Sequence, residues 1–156
     1  MNAKLKILFL CTGNSCRSQM AEGWTRALKG DRIQVWSAGV ETHGLNPIAV
    51  EVMAEAGVDI SGHRSKHLHE LRDISFDAVI TVCDHARESC PFFAGAQKML
   101  HVGFADPPAM AKDLAGRGAG AEAQRDCYRR VRDEIRAFVE TLPGALGLHP
   151  REHHTS

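Results

Sequence analysis

The chain has no net charge: nineteen Lys and Arg balance nineteen Asp and Glu over 156 residues. It therefore has no overall positive field to hold a polyanion, which argues against nucleic-acid binding as a general function. Long apolar runs are missing too. The longest, residues 7–11 and 78–83, are far too short to span a bilayer, so no membrane segment is expected. The start, Met-Asn-Ala-Lys-Leu-Lys, lacks the apolar region and cleavage site of a secretory leader, and a cytoplasmic location is expected. No internal repeat or second domain is visible. With 44% hydrophobic and 24% charged residues, the composition is that of one globular domain, taken as residues 1–143 with a flexible tail over 144–156. A monomer is expected.

Cys-x-x-Cys spacing is also absent, which removes the usual framework of a structural zinc site. The five cysteines, at 11, 16, 83, 90 and 127, are an odd number in a chain long enough to build its own core, so a disulfide scaffold explains them poorly. They are expected as thiols at rest, with Cys127 a small buried hydrophobe. Nine histidines are present, and His63, His67 and His69 lie close together, but they read as solvated surface. No metal or other bound cofactor is expected.

What is there is an alternation of strand and helix signals. Residues 4–10 form a short apolar run bounded by a Gly-Asn turn, suited to a fully buried strand. Met20, Trp24 and Leu28 then recur at helical spacing, predicting a helix over 17–29. Residues 33–39 read as a second strand, and Asn46-Pro47 opens a second helix ending at Gly57. Residues 76–83 and 98–104 supply two more strands. Val131, Ile135, Phe138, Val139 and Leu142 mark the apolar face of a long final helix; its opposite face, with Arg129 to Asp133 and Arg130 to Glu134 four residues apart, reads as solvated. Residues 115–121 read as a flexible Gly-Ala segment. The pattern implies a three-layer α/β/α domain with a four-stranded parallel sheet, whose ligands bind at the carboxyl ends of the strands.

One such end carries Cys11-Thr12-Gly13-Asn14-Ser15-Cys16-Arg17-Ser18, of the form Cys-x5-Arg-Ser, between strand and helix. Five intervening residues can curl into a nest whose backbone N–H groups converge on a tetrahedral oxyanion, aided by the positive end of the following helix. Thr12, Gly13, Asn14, Ser15 and Cys16 are the expected anion-binding residues. Gly13 and Asn14 tolerate the positive φ such a curl needs. Arg17 can fork across two anion oxygens. The same field is expected to lower the Cys11 pKa and present a thiolate nucleophile, with Ser18 able to donate to it.

This loop resembles the anion-binding loop of the low-molecular-weight tyrosine phosphatases and of the arsenate reductases that share their fold. Asp106-Pro107-Pro108 resembles the general-acid loop of both groups, although Pro108 stands where such phosphatases usually carry an aromatic residue. Cys83 and Cys90 separate the two. Reduction of arsenate to arsenite needs two electrons, which a pair of thiols can supply, whereas a phosphatase leaves that pair idle. The spacing matches thioredoxin-coupled arsenate reductases, and the resemblance extends to Trp36-Ser37-Ala38-Gly39, Asp59-Ile60-Ser61, Gly103-Phe104 and residues 130–135.

The resemblance implies attack of Cys11 on arsenate, protonation of the departing oxygen by Asp106, and a disulfide relay through Cys83 and Cys90. Thioredoxin, or another thiol reductant, would regenerate the enzyme. The alternative is a low-molecular-weight protein-tyrosine phosphatase. Some of these reductases hold potassium beside the loop with counterparts of Asn14, Glu22 and Ser37, plus Thr and Asp where this chain has Arg64 and Lys66. Basic residues are poor cation ligands, so the ammonium of Lys66 or the guanidinium of Arg64 is expected to stand in for the ion.

Overall fold

The computed structural model describes residues 4–83, 96 and 98–147. Cys90 therefore lies outside the described residues, as does the 148–156 part of the expected tail.

The first strand, β1 (Leu5–Cys11), is apolar without alternation, and Ile7, Leu8, Phe9 and Leu10 are all fully buried. Successive strand side chains face opposite sides, so four buried neighbours require cover on both faces of the sheet. β1 is central: with β2 (Ile33–Gly39), β3 (Ala78–Thr81) and β4 (Lys98–His101) it forms a sheet of order β2-β1-β3-β4, every pair parallel. Cys11 is in register with Gly39, and Leu10 with Thr81. One edge of the sheet thus collects the residues that follow all four strands, including the loop after Cys11, residues 40–46, Cys83 and Asp106.

Helix α1 (Arg17–Lys29) has the expected limits. α2 (Pro47–Glu55) starts where Asn46-Pro47 predicts: Asn46 Oδ1 accepts from the amides of Ile48 at 2.8 Å and Ala49 at 3.1 Å, and Pro47 gives up no hydrogen bond in the first turn. A third helix, α3 (Pro107–Gly116), was not anticipated. Pro107 and Pro108 open it, so residues 115 and 116, expected as the start of a flexible segment, close a helix instead. The long helix α4 (Ala121–Glu140) buries Val131, Ile135 and Val139.

The polar face of α4 does not conform to expectation. Rather than reaching Asp133, Arg129 pairs with Glu55 of α2 at 2.8 Å and with Glu122 and Asp126, while Arg132 donates to the Val52 carbonyl at 2.9 Å. Arg129 and Arg132 thereby tie this side of α4 to α2. Against α1, the contact is apolar with a polar tip: Trp24 Nε1 donates to the Arg132 carbonyl at 3.1 Å, and the Arg136 guanidinium lies 5.0 Å from the Trp24 ring. Beyond α4, Leu142 and Leu146 are buried, and residues Gly144–Leu146 form a short 3-10 turn on the core. No helix among the described residues is long and apolar enough to cross a membrane.

Candidate active site

The shape of the loop after β1 follows from where its carbonyls go. Residues 40–46 run alongside it. The carbonyls of Cys11, Thr12, Gly13 and Ser15 accept from the amides of Val40, Glu41, His43 and Asn46, respectively, at 2.8 to 3.2 Å. The Asn14 carbonyl accepts from Gln19 Nε2 at 3.1 Å and that of Cys16 from the Met20 amide at 2.9 Å. Each carbonyl from 11 to 16 is thus engaged away from the centre of the curl. With these carbonyls engaged, the loop N–H groups are the backbone groups left to meet an anion, and the concavity is a candidate anion site.

The curl turns at Asn14, which is fully buried with φ 49°, inside the left-handed region. Its side chain is held from every side. Nδ2 donates to Ser18 Oγ at 2.9 Å and Ser37 Oγ at 3.0 Å, while Oδ1 accepts from Gln19 Nε2 and the Lys66 amide, both at 2.9 Å. Ser18, expected to donate to the Cys11 sulfur, is thus placed by its bond with Asn14. Gly39 permits the close approach of β2 to the loop: a Cβ there would lie 2.4 Å from the Glu41 carbonyl oxygen and 2.8 Å from both Asn14 N and the Thr12 carbonyl oxygen.

Five of the six expected catalytic residues are described, and the structure gathers them. Arg17 donates to the Phe104 carbonyl at 3.0 Å and lies 3.8 Å from the Asp106 carboxylate, so the helix-opening arginine and the residue before α3 face one another across the loop. A cavity of about 310 Å³ is lined by Cys11, Thr12, Gly13, Ser15, Cys16, Arg17, Asp106 and Pro108, together with His43 and Asn46. Cys83, buried two residues past β3, lies 3.1 Å from Thr12 Oγ1 and close enough to Cys11 to raise the pKa of that thiol. Two thiols 72 positions apart in sequence are therefore brought together at the loop.

That proximity reverses one expectation. The Cys83 sulfur beside Cys11, and then burial, push the Cys11 thiol well above its ordinary pKa, outweighing the opposing effects of Arg17 and the Thr12 amide. The spacing of Cys-x5-Arg shows the arginine but not the second sulfur. Cys16 is also held as a thiol: burial raises it to about 12 against the pull of Arg17. A buried, protonated Cys16 suits packing rather than chemistry.

Behind the loop lies a charged cluster. Burial would raise the Glu22 pKa, but the Ser37 hydroxyl, Arg26 and Lys66 together bring it below the ordinary value. Arg26 pairs with Glu22 at 2.6 Å, Ser37 donates its hydroxyl to Oε1, and Lys66 Nζ sits 3.8 Å from the same oxygen while donating to the Arg64 carbonyl at 3.2 Å. Of the two residues expected to stand in for a cation, Lys66 is the one beside Glu22. Arg64 turns to Glu70, at 2.8 Å. His63 is no bystander either, since its ring bonds both Gln19 and Arg26. Among the described residues, no group of His, Cys, Asp and Glu is arranged to hold a metal.

The sequence reading missed His43 and Asn46. Both follow β2 on the carboxyl edge, and the rule that parallel strands deliver ligands there extends to β2 as it did to β1, β3 and β4.

Comparison with known proteins bears on the whole chain. Residues 6–148 match the family model of the low molecular weight phosphotyrosine protein phosphatases. Arsenate reductase 2 of Staphylococcus epidermidis is 44% identical over 139 residues, covering 89% of this chain and 96% of that protein. Arsenate reductase of Bacillus subtilis is 45% identical over 140 residues, covering 86% and 95%. The structure of an arsenate reductase in the phosphate binding state superposes with a TM-score of 0.74 at 30% identity, covering 91% of this chain and 98% of that one.

Proposed function

The chain belongs to the low molecular weight phosphotyrosine protein phosphatase family, as one of its arsenate reductases, and we propose that it converts arsenate to arsenite through a relay of three thiols. The observation that carries the relay is the proximity of Cys83 to Cys11, because a phosphatase has no use for a second sulfur beside its nucleophile.

In the first step the loop amides and Arg17 hold the arsenate dianion over Cys11. The Cys11 sulfur bonds to arsenic as one oxygen departs. The thiol proton and the proton already on arsenate leave with that oxygen as water, with Asp106 relaying a proton to it, and the adduct keeps two negative charges. A Cys11 held as a thiol by Cys83 suits this balance, since the dianion is the base that takes its proton.

In the second step Cys83 attacks the Cys11 sulfur. The electron pair of the S–As bond goes to arsenic, which becomes As(III) and departs as arsenite after taking protons from solvent. A Cys11 to Cys83 disulfide remains. Cys90 then attacks Cys83, freeing Cys11 and leaving Cys83 and Cys90 oxidised. An external dithiol, thioredoxin in this reading, takes up that oxidation. Phosphate has the shape and charge of arsenate, and slow phosphatase turnover at the same loop is expected.

The test is a free-thiol count on reduced protein before and after arsenate, without added reductant and with phosphate as control. Loss of two thiols, mapped by mass spectrometry to Cys83 and Cys90, is expected. No loss, with aryl phosphate hydrolysis intact, would move the reading to a phosphatase. Cys90→Ser should release arsenite once and then stall, whereas steady turnover by that variant would end the relay.

A further inference from the structure

A guanidinium on a long flexible stem grips an anion well only when its planar fork is already oriented. Arg17 opens α1 and lines the cavity. Its Nη1 donates to the Phe104 carbonyl at 3.0 Å, while Nη2 stays 3.8 Å from the Asp106 carboxylate, outside hydrogen-bond reach. The acceptor that orients the fork is therefore neutral. A carboxylate bonded there would set a full negative charge against the one meant for the anion, whereas a backbone carbonyl orients the group without adding charge.

Phe104 is held from two sides. It lies between β4 and α3, where the Val102 amide donates to the Thr81 carbonyl at 2.9 Å and the Phe104 amide to the Val82 carbonyl at 3.2 Å. The ladder that joins β3 to β4 thus runs past the end of both strands as far as Phe104. Its half-buried ring packs edge-on against Phe138 of α4, with centroids 6.3 Å apart and ring planes at 65°. One residue therefore has its amide on the chain just before Cys83, its ring on α4 and its carbonyl on Arg17.

We propose that Phe104 is a positioning residue for anion capture: its ring, seated on Phe138, holds in place the carbonyl that orients the Arg17 guanidinium at the loop. This rests on the reading of the loop as an oxyanion site and not on the steps after capture, so it applies to phosphate as to arsenate. Neither Phe104 nor Phe138 is among the residues lining the cavity, and their effect passes through Arg17.

The experiment uses the reduced full-length protein as wild type, Phe104→Ala and Phe138→Ala. Inorganic phosphate is titrated by calorimetry. Cys11 is alkylated with iodoacetate and, separately, with iodoacetamide at one neutral pH, and the modified site is read by mass spectrometry. The two reagents are close in size, but only iodoacetate brings a carboxylate for Arg17 to fork. The ratio of their rates at Cys11 reports the orientation of Arg17, whereas general loosening of the loop changes both rates together. Phe104→Ala should weaken phosphate binding about tenfold, within the coupling found inside one hydrogen-bonded network, and lower the iodoacetate to iodoacetamide ratio by a similar factor. Phe138→Ala removes only the seat of the ring and should act in the same direction by about threefold. Phe138 is half-buried, so this variant decides the matter if Phe104→Ala does not fold. An unchanged phosphate affinity or an unchanged ratio in both variants would overturn the proposal. Equal slowing by the two reagents gives such an unchanged ratio and would mark the rings as mere packing. A wild type that binds no phosphate would sink the oxyanion reading of the loop and this proposal with it. Phosphate binding without arsenate-dependent thiol loss in wild type would sink the reductase reading alone, with Phe104 still judged by the ratio.

Discussion

Replacing Gly39 with Ala adds one methyl group at the point where β2 meets the anion loop. The added carbon would lie 2.4 Å from the Glu41 carbonyl oxygen and 2.8 Å from Asn14 N and the Thr12 carbonyl oxygen. All three are backbone atoms, and they cannot swing aside as a side chain would. The Thr12 carbonyl and the Glu41 amide are themselves bonded at 2.8 Å, so relief of the clash means parting β2 from the loop. Overpacking of this kind costs about 1 to 3 kcal/mol, and for a chain of this size each kcal/mol lowers Tm by roughly 2 to 4 °C. A displacement near 1 Å in the catalytic loop also lowers turnover by about 100-fold. Urea unfolding and arsenate-dependent thiol loss would be measured on Gly39→Ala beside Gly116→Ala. A Cβ at Gly116, on the last residue of α3, meets nothing within 4 Å. That control should be neutral or stabilised by up to about 1 kcal/mol. Gly39→Ala within 0.5 kcal/mol of wild type, a span of about the size expected for ordinary surface substitutions, and fully active, would refute the view that β2 shapes the loop.

The other expectations concern sulfur and charge. Cys83→Ala removes the strongest influence raising the Cys11 pKa, and alkylation of Cys11 by iodoacetamide at pH 7 should speed up at least tenfold, about one pKa unit; an unchanged rate would mean that burial alone holds the thiol. Glu22 has a lowered folded pKa, so its contribution to stability is present above the ordinary carboxylate range and is lost as pH falls through the folded value. Glu22→Gln should cost about 3 kcal/mol at pH 7 and progressively less in acid, and an equal deficit at pH 7 and pH 3 in urea titrations would refute that account. With the Lys66 ammonium beside Glu22, wild-type arsenate turnover should not respond to replacing sodium by potassium. A clear acceleration would show that an ion still has work to do there.

Much of the scaffold was legible because the signals were local. The unbroken apolar run of β1, the Met20, Trp24 and Leu28 spacing of α1 and the Asn46-Pro47 opening of α2 each fix an element from within its own residues. The Cys11 to Arg17 loop was legible in the same way. What escaped depends on contacts across the sheet edge. Nothing near Cys11 in sequence announces that Cys83 will lie beside it and raise its pKa, and nothing near Gly13 announces His43. The α3 helix escaped for another reason: Pro107-Pro108 reads equally as a turn and as the first turn of a helix. The Arg129 pairing escaped because spacing along one helix says nothing of Glu55 on another.

The outward engagement of every loop carbonyl has a consequence for the enzyme in a cell. A cradle whose shape is fixed by its own neighbours pays little to order itself around an anion, so it cannot discriminate by declining to close on the wrong one. Phosphate, with the geometry and charge of arsenate, is expected to enter as readily. The distinction falls on what happens next, because arsenic can take the electron pair of its bond to sulfur and leave as As(III), while phosphorus cannot. Selectivity for arsenate is then chemical rather than steric. On the proposed relay, phosphate in the surroundings is expected to compete at the loop and so to set the arsenate level at which reduction begins.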